Sequence, residues 1–220
     1  MYLDYFEKAF YINLDNRTDR KILFEQRTND IGLNIPRYSG VSLKESEVPV
    51  NEYFKSDPRR HFKVSCTLSH FSIIKMAKKN DWKNILIFED DCIFCPGFMD
   101  KIDSCIEELK YHPWNLFYMG GEPNQVVLPL SKHLRLCPSH GGIYGTHAYA
   151  INNTFYDRIL KIDPIQYPAI DIIYLHQPDR TYILTKDLLV TQDDNSESDL
   201  WGGKVKRKET YELAYKMFVE

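Results

Sequence analysis

The stretch Asn84-Ile85-Leu86-Ile87-Phe88-Glu89-Asp90-Asp91 constrains this chain more than any other. Four consecutive large apolar residues make a strand that must be buried on both faces, the pattern found at the centre of a parallel sheet. The strand then stops at three carboxylates. Carboxylates beside a core are costly unless a cation or a proton offsets their charge, and in open α/β sheets ligands gather beyond the carboxyl ends of the strands. Hard oxygen ligands suit Mg²⁺ or Mn²⁺, ions commonly shared between one or two carboxylates and a substrate's phosphates. The triplet therefore points to a metal-bridged nucleotide. The plain alternative is an acidic turn that caps a helix and stays solvated.

A chain of 220 residues with 43% hydrophobic content supplies the core of one globular domain. Its net charge of -3, with both signs mixed along the chain, gives no electrostatic reason to expect a nucleic-acid partner. Apolar runs fall far short of the roughly 20 residues that span a bilayer, so no transmembrane segment is expected. The stretch Met1 to Lys8 carries acids where a secretory signal would be basic and then apolar, which makes a cytoplasmic location the expectation. Five cysteines (Cys66, Cys92, Cys95, Cys105, Cys137) cannot all pair within one chain and read as mostly buried thiols. Cys92 and Cys95 form a C-x-x-C with no second pair to complete a zinc site.

The run Ala9 to Leu14 reads as the first strand, followed by a polar turn and a helix over about 20 to 31 capped by Thr18 or Asp19. No G-x-G-x-x-G follows it, which argues against ordinary dinucleotide binding. Asn13, Asp15, Arg17 and Arg20 instead project from the strand end, where an amide and a carboxylate could read a base or ribose and a guanidinium could meet phosphate; the alternative is a solvated cap with local ion pairs. Residues 37 to 42 form a second short strand and 43 to 63 a loop excursion. Leu68, Phe71, Ile74 and Ala77 then mark a helix with Ser69 and His70 near its first turn. Beyond the acidic strand, Pro96-Gly97 precedes an amphipathic helix through Met99, Ile102, Ile106 and Leu109, and Asn115 to Met119 is a strand ending in two glycines. Residues 122 to 140 read as irregular with a hairpin through Leu134 to Leu136. A strand over about 141 to 151 and a helix capped by Asn153 or Thr154 follow. Asp171 opens a short apolar helix, either as a helix acid stabilised by the dipole or as a positioned general base. Leu188 to Val190 forms a last strand. A locally basic loop over Trp201 to Lys208, solvated or clamping a diphosphate, leads to a docking helix with Tyr211, Ala214, Tyr215 and Phe218 on one stripe.

Five ordered blocks resemble the motifs of glycosyltransferase family 25, which includes lipooligosaccharide and collagen galactosyltransferases. They are Tyr11 to Arg20, Cys66 to His70, Ile87 to Asp91, Gly145 to Ile151, and Gln192 with Ser198-Asp199. One departure is Ser65, where a glycine is expected before Cys66; another is a short stretch around 121 to 140, where acceptor-contacting loops would lie. The resemblance implies one GT-A type nucleotide-diphosphosugar transferase domain over 1–220, with a central mostly parallel sheet flanked by helices, a core at about 8–200 and a C-terminal loop and helix at 201–220. It further implies a UDP-hexose donor, a glycan, glycolipid or glycosylated-protein acceptor, lipopolysaccharide among them, a Mn²⁺ or Mg²⁺ ion and inversion at the anomeric carbon.

Glu89 and Asp91, two apart in an extended turn, can point the same way toward that ion; Asp90 is left for a ribose or a backbone amine. The resemblance adds a further metal or phosphate contact after the last strand, with Gln192, Asp193, Asp194, Ser198 and Asp199 as candidates and Asp194 or Asp199 preferred. Asn13, Asp15, Arg17, Arg20, Ser69 and His70 carry over as donor-nucleotide contacts. Asp171 is the expected base and His147 its rival. Two other classes compete. One is a non-catalytic nucleotide-sugar or glycan-binding module of the same fold. The other is a metal-dependent phosphoesterase, disfavoured because no H-x-H or D-x-H lies near Glu89.

Overall fold

Apolar spacing that switches between periods of two and 3.6 residues yields alternating strands and helices. The computed structural model describes residues 2–49, 57–167, 169–194 and 206–219. The first half contains β1 (Lys8–Asn13), α1 (Thr18–Asp30), β2 (Arg37–Ser39), α2 (Arg60–Lys79) and β3 (Asn84–Glu89). β4 (Cys92–Phe94), α3 (Phe98–Leu109), β5 (Leu116–Tyr118), β6 (Glu122–Pro123), β7 (Leu128–Pro129), β8 (Leu134–Cys137) and β9 (Ile143–Tyr144) follow. The remainder is β10 (Ala148–Asn152), α4 (Asn153–Leu160), α5 (Ile170–Leu175), β11 (Tyr182–Thr185), β12 (Val190–Gln192) and α6 (Arg207–Phe218).

One sheet runs in the order β2-β1-β3-β10-β5-β11-β8-β7. β2, β1, β3, β5, β11 and β7 share one direction and β10 and β8 oppose it, so the sheet is mostly parallel, as expected. β3 is its centre. Ile85 and Ile87 join the layer under α2, α4 and α5 with Phe71, Ile74, Phe155 and Ile173. Leu86 and Phe88 join the opposite layer with Phe24 of α1 and Ile102 and Ile106 of α3. All four β3 residues are 0% exposed, and each such side chain contributes about 1.5–3 kcal/mol by leaving water. The strand therefore ties both layers together.

Two pairings bring remote segments to the end of β3. β10 lies antiparallel to it, with Ala148 opposite Phe88, so the start of β10 meets the end of β3 and the Glu89 N–H donates to the His147 carbonyl at 2.7 Å. β4 pairs with β12 in a separate ribbon that sets Gln192 opposite Cys92, and the Asp193 N–H donates to the Asp91 carbonyl at 2.8 Å. The ribbon is held against β5 by the N–H groups of Leu189 and Val190, each 3.0 Å from the Met119 carbonyl. A Cβ at Gly120 would lie 2.0 Å from the Val190 carbonyl oxygen, so glycine is required for the close backbone approach.

Several local expectations are corrected. The sheet strand near the C-terminus is β11, and the apolar run at Leu188 to Val190 only enters β12 of the ribbon. The Lys186-Asp187 bend separates β11 from that run. α2 starts at Arg60 rather than Val64, its polar first turn supported by Asp57, which accepts from the Arg59 N–H at 2.9 Å and pairs with Lys63 at 2.7 Å. α1 begins after Arg17, without a side-chain cap from Thr18 or Asp19. Asn152, not Asn153 or Thr154, caps α4 by accepting from the Thr154 N–H at 3.1 Å. Within 122 to 140 the expected hairpin is present as β7–β8, and β6 pairs with β9. α6 docks through Tyr211, Ala214 and Tyr215. All five cysteines are free, with Cys92, Cys105 and Cys137 buried. Among the described residues no helix is long and apolar enough to cross a membrane.

Candidate active site

A cleft of about 530 Å³ opens where β1, β3 and β12 end and β10 begins, with α2 and α5 as its walls. All three carboxylates of the triplet line it. Asp90 is turned into the frame: the Asn13 side-chain amide donates to its Oδ2 at 2.8 Å and Arg20 to its Oδ1 at 2.8 Å. Arg20 and Asp90 are both buried, at 8% and 6% exposure. Burial pushes the Asp90 carboxyl up, and the pull of Arg20 and Asn13 offsets only part of that.

Arg20 also lies 3.7 Å from Asp91 Oδ2. Among the described ion pairs, one guanidinium faces three carboxylates beside a hydrophobic strand. Asp91 registers the deficit. Burial first, and then the charge of Glu89, push its carboxyl up to about 7, against the opposing effects of Arg20 and the Gln192 amide. A buried carboxylate that holds a proton near neutrality for want of a counter-charge is one that a divalent cation would satisfy. Glu89 is held differently. Thr146 donates to its Oε1 at 3.1 Å and His70 Nε2 lies 3.5 Å from the same oxygen. Burial pushes Glu89 up, but His70, His147 and Thr146 outweigh it and hold the carboxyl below its ordinary range. The donor set of Glu89 and Asp91, carboxylate oxygens throughout, fits a hard cation.

Asp171, at the start of α5, faces the same cleft. Its Oδ2 accepts from the Gly145 N–H at 3.2 Å and its Oδ1 from the Ile172 N–H at 2.8 Å. Gly145 reaches that position with φ +86°, a conformation glycine adopts without strain. Burial raises the Asp171 carboxyl, and the two backbone N–H groups lower it by less, so it is a stronger base than a free aspartate. The rival base, His147, is 0% exposed and outside the cleft lining. Its Nε2 lies 3.1 Å from the Val190 carbonyl, which can only accept, so that nitrogen carries the proton. Nδ1 sits 3.4 Å from the Tyr211 hydroxyl, and burial lowers the imidazole's pKa. Its geometry is that of a buried strut.

The other expected contacts divide. Asn13, Arg20, Ser69, His70 and Asp90 line the cleft, whereas Asp15 and Arg17 do not. Asp15 is a rim residue bonded to Arg37 and, at 2.8 Å, to Ser39; Arg17 pairs with Asp19 at 3.1 Å. The Ser69 hydroxyl donates to the Ser65 carbonyl at 2.7 Å and accepts from the Val41 N–H at 2.8 Å. Ser65 repeats the arrangement one turn earlier, donating to the His61 carbonyl at 2.6 Å and accepting from the Leu43 N–H at 3.0 Å. The serine standing where glycine was expected thus pins the 40–43 segment to α2. Asp194 is outside the cleft lining, its Oδ1 accepting from the N–H groups of Arg207 at 2.6 Å and Lys208 at 3.0 Å as a cap on α6. Asp193 does line the cleft and is paired with Arg27. Ser198 and Asp199 lie outside the described residues.

Arg207, Tyr211, Glu122, Tyr144 and Cys66 also line the cleft and were not singled out as site residues. Arg207 lies 3.3 Å from Glu122. The basic loop before α6 was the one signal for Arg207. Tyr211 belongs to the docking stripe of α6, and its hydroxyl also donates to Gln192 Oε1.

Residues 6–126 match Glycosyltransferase family 25 (LPS biosynthesis protein), more than half of the chain, and the protein belongs to that family. Among curated relatives, procollagen galactosyltransferase 2 of Mus musculus is 28% identical over 179 residues, covering 72% of this chain and 28% of the relative. A Bos taurus protein named "Probable inactive glycosyltransferase 25 family member 3" is 28% identical over 109 residues, covering 47% of this chain and 18% of its own length. The chain thus spans under a third of the length of either relative. A glycosyltransferase involved in the glycosylation of the major capsid of PBCV-1 superposes with a TM-score of 0.43 at 12% identity, covering 94% of this chain and 98% of that one.

Proposed function

We propose that the protein is a metal-dependent, inverting hexosyltransferase that moves a sugar from a UDP donor to a hydroxyl of a glycan, glycolipid or glycosylated protein. Galactose is the sugar favoured by the likeness to procollagen galactosyltransferases. The observation that carries the reading is the meeting of Glu89, Asp91 and Asp171 in one cleft. Glu89 and Asp91 would hold Mg²⁺ or Mn²⁺, which supplies Lewis-acid stabilisation of the charge developing on the departing diphosphate. Arg20 and Asn13 keep Asp90 fixed and the strand end rigid. Asn13, Ser69 and His70 wall the donor side, and Arg207 meets the diphosphate from α6. Asp171 accepts the proton of the acceptor hydroxyl as that oxygen attacks the anomeric carbon from the face opposite UDP, which inverts the configuration. Five free thiols suit a reducing compartment such as the cytoplasm.

A panel of nucleotide sugars, screened for hydrolysis and transfer with and without Mn²⁺, tests this. UDP-galactose should be consumed only with the metal, and Glu89→Ala and Asp91→Ala should abolish turnover. Full activity in both variants would overturn the metal assignment. The name of the bovine relative favours a second reading, a nucleotide-sugar-binding module without turnover. Donor binding in calorimetry without hydrolysis would select it.

A further inference from the structure

One wall of the cleft carries a second donor set of different chemistry. Cys66 Sγ, a His70 ring nitrogen and a Glu89 oxygen all lie within 4.8 Å of one another. Cys66 and His70 are four apart on α2 and so share one helix face, while Glu89 arrives from the end of β3. His70 is 0% exposed, and its Nε2 has no hydrogen-bond partner, the nearest candidate being Glu89 Oε1 at 3.5 Å. Leaving a buried ring nitrogen unsatisfied costs about 1–3 kcal/mol, so its orientation toward the thiol and the carboxylate calls for a ligand.

We infer that Cys66, His70 and Glu89 form a site for a thiophilic divalent cation of the Zn²⁺ class, with a fourth coordination position open to the cleft. Hard ions such as Mg²⁺ take oxygen, whereas a thiolate, an imidazole and a carboxylate together make a zinc-type donor set. Tetrahedral bonds of 2.0–2.3 Å would hold the ligand atoms about 3.5 Å apart. The widest pair of the triad would close by about an ångström on binding. The second sphere is already in place. His70 Nδ1 is 3.1 Å from the Tyr149 hydroxyl, which lies 2.8 Å from that of Tyr174. With Nδ1–H donating to Tyr149, the Nε2 lone pair points at the cation. On binding, the Cys66 S–H proton leaves to solvent and a metal–sulfur bond forms. Glu89 belongs to both donor sets, so a soft cation here would compete with the donor-side ion; that consequence, unlike the site, rests on the proposed function.

The test titrates the metal-free full-length protein with Zn²⁺ by calorimetry and with Co²⁺ by absorption, in the absence of any donor, so the result does not depend on whether a sugar is transferred. One ion should bind per chain, with a thiolate-to-Co²⁺ charge-transfer band in the near ultraviolet. The band should vanish in Cys66→Ser and Cys66→Ala and persist in Cys95→Ser, with circular dichroism checking that each variant is folded. Tyr149→Phe should weaken Zn²⁺ binding about 10–100-fold. Absence of Zn²⁺ binding, Co²⁺ binding without the thiolate band, or unchanged affinity in the folded Cys66 variants would overturn the proposal.

Discussion

The side-chain amide of Gln192 lies 3.3 and 3.2 Å from the two carboxylate oxygens of Asp91, although the residues stand 101 positions apart. Gln192 Oε1 in turn accepts from Tyr211, so the orientation of Asp91 is set from α6 through one amide. Removing an outer-shell partner of this kind lowers metal affinity about 10–100-fold. Gln192→Leu should therefore raise the Mn²⁺ concentration needed for half-maximal donor hydrolysis by that factor. An unshifted Mn²⁺ curve would show that Asp91 is oriented without it.

Asp91 also predicts how the metal-free protein responds to pH. Its carboxyl is raised from 3.8 to about 7 in the fold, so the native state keeps a proton that the unfolded chain has lost. The associated stability is fully present below about pH 4 and is lost as pH rises through about 7. Between about pH 4 and 7 the thermal midpoint of the metal-free wild type should fall more steeply than that of Asp91→Asn, levelling off above that, and Mn²⁺ should flatten the difference. His147, lowered from 6.5 by burial, opposes this trend below about pH 6.5, but equally in both proteins. Parallel midpoint curves for the two proteins would remove Asp91 from this account.

Arg20 is the one fixed cation in contact with the triplet among the described ion pairs, at 2.8 Å from Asp90 and 3.7 Å from Asp91. Deleting one partner of a buried pair leaves an uncompensated charge and costs about 3–5 kcal/mol. Arg20→Met should lose that much in urea unfolding, and the double change with Asp90→Asn should recover a large part of it. A loss of under about 1 kcal/mol in the single variant would mean that solvent screens the pair.

Asp171→Asn keeps an acceptor for the Gly145 N–H but removes the basic oxygen. Transfer should fall about 10²–10⁴-fold, with UDP affinity in calorimetry unchanged. Normal turnover would move the proton acceptor elsewhere, and His147, buried with Nε2 against the Val190 carbonyl, is poorly placed to inherit the role.

Gly120→Ala tests the seam between β5 and β12. The added Cβ would sit 2.0 Å from the Val190 carbonyl and 2.8 Å from His147 Nε2. Overpacking of this kind costs about 1–3 kcal/mol or more, so the thermal midpoint should drop by several degrees. An unchanged midpoint would show that the seam yields freely.

Much of the frame could be read before any coordinates. The double-faced burial of Ile85 to Phe88 and the stripe Phe71, Ile74, Ala77 follow from local periodicity, and the carboxylates at the end of β3 do sit in the cleft. Neighbouring acids at the other end of the chain were not separable in this way. Asp193 faces the cleft while Asp194 caps α6, because a one-residue step reverses side-chain direction and the helix that claims Asp194 begins only at Arg207. β11 is not legible in the sequence because its short apolar run is bounded by residues that read equally well as a loop.

Periodicity and residue type are properties of near neighbours, and they were enough to specify an α/β frame with an acidic strand end at its centre. Which groups neutralise, orient or oppose those acids is a matter of contacts across the chain. Arg20 on Asp90 comes from α1, His70 beside Glu89 from α2, Gln192 on Asp91 from the β4–β12 ribbon and Gly145 under Asp171 from the turn into the reversed strand β10. Electrostatic energies depend on distance and burial in space, and neither is written in the spacing of residues along a line.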